Sequence, residues 1–191
     1  MVLFEDDSYE NETFEDVVWS DDLDNIEFYK CTFKNSSFQS SRLIECSFDS
    51  CEFIQCNLSL IEIKYTSFID VKFTDCKILG VNWSTAGGFF SASYDGCILN
   101  NNFFSDMNLT RFKFSSCYFV EASFFNTKMM HSVFDECDLS RCQFHQVDLS
   151  FANFTTSRNY YMNAATNTLR NTAFSLPEAV SLLANLDIVL K

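Results

Sequence analysis

The sequence predicts a repeat protein, wound on a regular path that is neither helix nor ordinary strand. Three observations carry that prediction. An apolar residue recurs at every fifth position, nine cysteines share one phase of that period, and a Phe-rich chain holds almost no Gly or Pro.

The first run of apolar centres reads Phe28, Phe33, Phe38, Leu43, Phe48, Phe53, Leu58, Ile63, Phe68, Phe73, Ile78 and Trp83. After a one-residue slip near Gly87 and Gly88 a second run begins at Phe89. It continues Tyr94, Leu99, Phe104, Leu109, Phe114, Phe119, Phe124, Met129, Phe134, Leu139, Phe144, Leu149 and Phe154. A degenerate version at Phe4, Tyr9, Phe14 and Trp19 slips through Leu23 into the main register. Helices repeat every 3.6 residues and strands every 2, so a period of five needs another path. The cysteines test the period independently: Cys31, Cys46, Cys51, Cys56, Cys76, Cys97, Cys117, Cys137 and Cys142 all lie two residues before a centre. Chance would give that phase to all nine about once in a million trials, so the repeat is real. Their slot is otherwise filled by small or β-branched residues such as Ser36, Thr66, Val71 and Ala122. Asn102, Met107 and Phe112 are large for it and predict local distortion.

These residues resemble the pentapeptide-repeat family, whose motif reads small, polar, Leu or Phe, then two variable positions. Cys46-Ser47-Phe48, Cys137-Asp138-Leu139 and Ala152-Asn153-Phe154 match it as they stand. The resemblance implies an all-β solenoid, a right-handed quadrilateral β-helix of four pentapeptides per coil with a short C-terminal α-helix. Residues twenty apart would then stack at strand spacing, about 4.8 Å. Bonds between coils would satisfy the backbone without hairpins, which fits 4 Gly and 1 Pro. The expected divisions are a degenerate acidic coil over 1–27, the repeat over 28–174 with an irregular coil at 155–168, and a helix and tail over 175–191. The cysteines read as buried spacers, because parallel side chains at strand spacing suit a disulfide poorly.

At the C-terminus, Ser175-Leu176-Pro177-Glu178 reads as an N-cap and capping box. Ala179, Leu182, Leu183 and Leu186 follow at helical spacing, then the apolar tail Ile188, Val189 and Leu190. Such a helix either caps the open coil or pairs two copies. Quinolone-resistance members of the family are similar in pairing through C-terminal helices, which implies a homodimer contact at Leu182, Leu183, Leu186, Ile188, Val189 and Leu190.

No motif for catalysis, phosphate or metal is present. His131 and His145 fall in outward positions, and no cofactor is expected. Function should therefore lie in a surface. The chain carries 26 acids against 13 bases, a net charge of −13. That argues against direct nucleic-acid binding. No stretch has the length of a membrane span, and the start is acidic, unlike a signal peptide; a soluble, bacterial cytoplasmic protein is the expectation. Most of the charge sits on Glu5, Asp6, Asp7, Glu10, Glu12, Glu15, Asp16, Asp21, Asp22, Asp24 and Glu27. This acidic tip is either a solvating cap or a competitor for a basic surface. A second candidate surface is apolar: Ile98, Phe103, Tyr118, Val120, Phe125, Met130 and Val133 occupy outward slots, either as a partner patch or packed under bulges. The resemblance implies a binding protein that targets DNA gyrase or topoisomerase IV, partly by DNA mimicry, and protects it from quinolones or a toxin. The other reading is a scaffold with an unrelated protein partner.

Overall fold

The computed structural model describes residues 4–185. Leu186, Ile188, Val189 and Leu190 of the expected dimer contact lie outside the described residues. The chain divides into two compact units, residues 1–98 and 99–191. Each is a parallel β-solenoid.

In the first unit the short strands β1 (Ser8–Glu10), β4 (Glu27–Tyr29), β7 (Ser47–Asp49) and the start of β10 (Ser67–Thr74) stack as one face. Between them in the chain lie β2 (Thr13–Glu15), β5 (Thr32–Lys34) and β8 (Glu52–Ile54), which stack with the end of β10 as a second face. A third holds β3 (Leu23–Asp24), β6 (Arg42–Ile44) and β9 (Glu62–Lys64). All pairs are parallel. Phe28 pairs with Phe48 and Phe48 with Phe68, twenty residues apart, whereas Tyr9 pairs with Phe28, nineteen apart. The first coil is therefore one residue short, and the slip falls between Val18, which bridges Ser37, and Leu23, which pairs with Leu43.

The inward position of each repeat builds ladders. Tyr9, Phe28, Phe48 and Phe68 stack with ring centroids 5.4, 5.0 and 5.3 Å apart. Phe14, Phe33, Phe53, Phe73 and Tyr94 do the same at 5.2, 4.6, 5.1 and 5.0 Å. These spacings follow strand separation, so one aromatic per coil yields a near-parallel stack without further adjustment. Phe4 closes the N-terminal end, edge-on to Tyr9, Phe14, Trp19 and Phe28.

The corners explain the composition. Two residues after most centres the backbone turns left-handed, with φ of 54° at Asn25, 52° at Lys30, 48° at Asn35 and 62° at Ser40. Glycine is the usual occupant of that region, because a Cβ there costs about 1 kcal/mol or more. Here ordinary residues hold it, since the corner N–H is claimed by the next coil. Lys30 N donates to Asp49 O at 2.8 Å and Asn35 N to Ile54 O at 3.0 Å.

The second register shift differs from the sequence expectation. Phe68 pairs with Phe90, twenty-two residues on, and Val71 with Ala92, twenty-one on, so the partner strand β11 (Phe90–Asp95) carries the irregularity. Phe90, not Phe89, enters the ladder and packs on Phe68 and Trp83; Phe89 is 79% exposed. The extra length is absorbed by a 3₁₀ turn at Trp83–Thr85, capped by Asn82, whose side chain accepts from Ser84 N. The chain then crosses so close to Tyr65 that a Cβ on Gly87 would lie 2.6 Å from its Cα.

The second unit repeats the plan. β12 (Lys113–Ser115) pairs with β14 (Val133–Asp135), and β13 (Ser123–Phe125) with β15 (Gln143–His145). Its ladders are Phe104, Phe124 and Phe144, and Phe114, Phe134, Phe154 and Phe174. The distortion expected at Asn102, Met107 and Phe112 does not occur: Phe103, Asn108 and Lys113 pair with Ser123, Lys128 and Val133, all twenty apart. Asn102 is fully buried, Met107 stays half-exposed, and Phe112 tilts beside Phe114 at 6.1 Å, so none displaces the backbone. Where the apolar period lapses after Phe154, Tyr160 and Met162 fill the core out of phase, and the register returns with Asn153 bridging Ala173.

The described part of the C-terminal helix, Glu178–Asn185, winds as 3₁₀ and not as α-helix. Its expected capping box is not made. Glu178 instead accepts from the corner N–H of Asn159 at 2.8 Å, the place where a further coil would present a carbonyl. Ser181 Oγ reaches Tyr160 O at 2.7 Å. The segment thus satisfies groups that the end of a solenoid leaves open.

Candidate interaction surfaces

The cysteine slot is structural. Each thiol is free and buried. Most donate to a carbonyl of the preceding coil: Cys31 to Tyr9 O at 3.4 Å, Cys51 to Phe28 O at 3.3 Å, Cys137 to Phe114 O at 3.4 Å. Hydroxyls in the same slot do likewise, Thr66 to Leu43 O at 3.0 Å and Ser157 to Phe134 O at 2.9 Å. The slot therefore selects a small or β-branched side chain, and where that side chain carries a donor it meets a carbonyl of the preceding coil. Burial pushes the Cys31 and Cys46 thiols up, and those of Cys51 and Cys142 to about 12. Among the described residues no group of three or more His, Cys, Asp or Glu is placed to hold a metal ion.

The acidic tip is displayed outward. Glu5, Asp6, Asp7, Glu10, Glu12, Glu15, Asp16, Asp21, Asp22, Asp24 and Glu27 are all exposed while their neighbours Tyr9, Phe14, Leu23 and Ile26 are buried. The alternation follows from the strand pleat. One of these acids is ion-paired among the described residues: Arg42, one coil on, grips Asp22, with Nε 2.8 Å from Oδ1. Its hydrogen bonds hold the Asp22 carboxyl below the ordinary range. The other described ion pairs follow the same twenty-residue step, Glu52 with Lys72, Glu121 with Arg141 and Asp138 with Arg158. By composition, residues 1–98 hold eighteen acids and six bases, and residues 99–191 hold eight and seven. The first unit carries −12 and the second −1.

The seven apolar candidates separate. Ile98 ends the first unit, 39% exposed. In the second unit Phe103, Tyr118 and Phe125 are 48%, 47% and 37% exposed, whereas Val120, Met130 and Val133 are half-buried. Tyr118 and Val120 flank the Phe119 centre. Phe103 and Phe125 lie diagonally on the next face, with Phe125 beside His145 at 6.0 Å. On the C-terminal segment Leu182 and Leu183 are half-buried. Leu176 and Val180 are the exposed ones, at 84% and 44%. Sequence spacing missed this pair because it assumed α-helical winding from Ser175.

A groove of about 820 Å³ also opens in the first unit, between Leu60–Tyr65 and the 3₁₀ turn that follows Asn82. Nothing in the repeat pattern announces it, since it arises from the diverted coil.

Stacked parallel coils of four five-residue sides, aromatic ladders and left-handed corners define a β-solenoid built from pentapeptides. The chain is a pentapeptide-repeat protein: a family described as pentapeptide repeat region matches residues 26–87, and one described as pentapeptide repeats (8 copies) matches residues 126–158. No curated protein matches the chain. Among solved structures it is similar to HetL, a pentapeptide repeat protein involved in heterocyst differentiation regulation from the cyanobacterium Nostoc sp. strain PCC 7120. That likeness has 14% identity and a TM-score of 0.50, and covers 90% of each chain. Full-length QnrB1, a plasmid-mediated fluoroquinolone resistance protein, is similar at 17% identity with a TM-score of 0.45, covering 95% of this chain and all of that one.

Proposed function

We propose that this chain is a non-enzymatic binding protein whose acidic first unit competes for a basic, DNA-facing surface of bacterial DNA gyrase or topoisomerase IV. In that role it would protect the enzyme from quinolones or from a gyrase-targeting toxin in the bacterial cytoplasm. The observation that carries the reading is the charge of −12 on residues 1–98, displayed outward on the flat faces of a rod-like coil. Clustered carboxylates on a rigid scaffold steer toward cationic surfaces. The mimicry is partial, because the second unit is nearly neutral. Two copies pair in this proposal through the C-terminal segment, where Leu176 and Val180 are exposed beside Leu182 and Leu183.

The test is gyrase supercoiling with the full chain, with and without a quinolone. Inhibition or rescue supports the reading; no effect and no binding at micromolar protein refute it. A second reading, a scaffold for an unrelated protein, is favoured by the exposed Phe103, Tyr118 and Phe125. Under that reading Phe103→Ser with Phe125→Ser abolishes capture of the partner and leaves supercoiling untouched.

A further inference from the structure

The two units carry opposite charge along particular corners, a property that net charge conceals. In the first unit Asp24 and Glu27 flank the corner at Asn25. Glu27 N bonds to Asp7 O at 2.9 Å, and Asn25 N to Ile44 O at 2.9 Å, so Asp6 and Asp7 lie one coil to one side and Glu45 one coil to the other. All five carboxylates are exposed, and among the described residues none of them is ion-paired. The edge is a ladder of negative charge at coil spacing, about 4.8 Å per step.

The second unit carries the counterpart. Arg111, His131 and Phe151 occupy successive corners, with Arg111 N bonded to Met130 O and Phe151 N to Arg170 O, each at 2.9 Å. His131 stacks on Phe151 at 4.9 Å, and the Arg170 guanidinium lies 5.9 Å from the same ring. Lys113 and Lys128 stand on the faces that meet at this edge. Arg111, Lys113, Lys128 and Arg170 are exposed, and among the described residues none has an ion-pair partner; Arg141 and Arg158, on another edge, are both paired. Aromatic stacking holds His131, Phe151 and Arg170 together on this edge, and the four cations stay exposed.

We infer that the Arg111–Arg170 edge is a docking surface for the Asp6–Glu45 edge of a second copy of this chain. Both edges step at the same coil spacing, so several opposite charges come into register at once. The contact uses different patches on the two copies, so it is heterologous and extends into rings or open chains. It goes beyond the topoisomerase reading and does not depend on it.

This geometry gives an unusual salt dependence. Each copy carries −13. At about 0.01 M salt the screening length is about 30 Å, so whole-molecule repulsion opposes association. At about 0.1 M it is about 10 Å, and only the facing edges interact. At about 1 M it is about 3 Å, and the edge pairs are screened as well. Association therefore peaks at intermediate salt. An apolar pairing through the C-terminal segment has no such maximum.

Sedimentation velocity of the full chain at those three ionic strengths tests the inference. The expected result is a weight-average mass that is highest at about 0.1 M and lower at both extremes. Arg111→Glu with Arg170→Glu should remove the maximum. So should Asp24→Arg with Glu27→Arg. An equimolar mixture of the two double variants should restore it, because each then supplies one native and one reversed edge. A mass that does not change between the two lower ionic strengths overturns the inference. A maximum that survives Arg111→Glu with Arg170→Glu overturns it as well. The Arg111 corner accepts glutamate, since Glu45, Glu121 and Glu136 already occupy equivalent left-handed positions, and Asp24, Glu27 and Arg170 lie exposed outside the left-handed corners.

Discussion

Phe53 tests whether the ladder is what holds the first unit together. Its side chain is 1% exposed and lies between Phe33 at 4.6 Å and Phe73 at 5.1 Å, with Phe48 edge-on at 5.5 Å. Phe53→Ala removes a buried ring from the centre of a stack. Such truncations cost about 3–5 kcal/mol, because the backbone does not close the cavity. Here two stacked partners are lost at once, each worth about 0.5–1.5 kcal/mol beyond burial, which places the expected loss at the upper end. A small domain has about 5–15 kcal/mol in all, so the variant should be close to unfolding. Urea denaturation followed by circular dichroism measures the loss. Phe103→Ala, at an exposed site, serves as the control and should change stability by about 0.5 kcal/mol or less. Solenoid coils contact only their neighbours, so hydrogen-exchange protection should fall first in the coils holding Phe33, Phe53 and Phe73. A loss below about 1.5 kcal/mol would refute the reasoning, being less than the transfer of one large side chain. Equal loss of protection across residues 99–185 would refute it too.

Other outcomes follow from the same geometry. Gly87→Ala should destabilise by about 1–3 kcal/mol, since the added Cβ meets Tyr65 backbone and not a mobile side chain; a thermal melt checks this. Cys51 and Cys142, with thiols pushed to about 12, should resist a thiol-specific reagent at about pH 8 in the native state. Their thiolate fraction there is about one in ten thousand, and all nine cysteines should react in urea. Asp138 is partly buried, which alone would raise its carboxyl. Hydrogen bonds from Ser140, Asn159 and Arg158 outweigh that and hold it below its ordinary value of 3.8. A lowered folded value means stability that is present above the ordinary value and is lost as pH falls through the folded one. Asp138→Asn should therefore flatten the acid side of the stability profile below about pH 4, and an unchanged acid side would contradict the assignment.

Much of this protein was legible because its period is enforced twice. The large inward residue must recur in every pentapeptide to continue a ladder. The small residue two positions earlier must recur to fit between the coils, and a thiol or hydroxyl there also meets a carbonyl of the coil before. Phe28, Phe48 and Phe68 satisfy the first demand and Cys31, Cys51 and Cys137 the second, and both can be read by counting. The surfaces were legible as composition, with charge concentrated before Lys30, but not as geometry.

What counting cannot supply is where the backbone departs from its own period. Phe89 and Phe90 are adjacent and alike, and only the pairing of Phe68 with Phe90 decides which turns inward. Tyr160 and Met162 fill the core out of phase, because an irregular coil must still exclude water. Glu178 leaves its expected cap for Asn159, since the end of a solenoid presents an N–H with no further coil to accept it. Likewise the two charged edges exist only because residues nineteen or twenty apart become neighbours. The sequence by itself determined the repeat unit, its inward residues and its acidic bias, all of which are local and periodic. The tertiary structure decided register shifts, end closure and the alignment of charge, because each depends on which coil lies next to which.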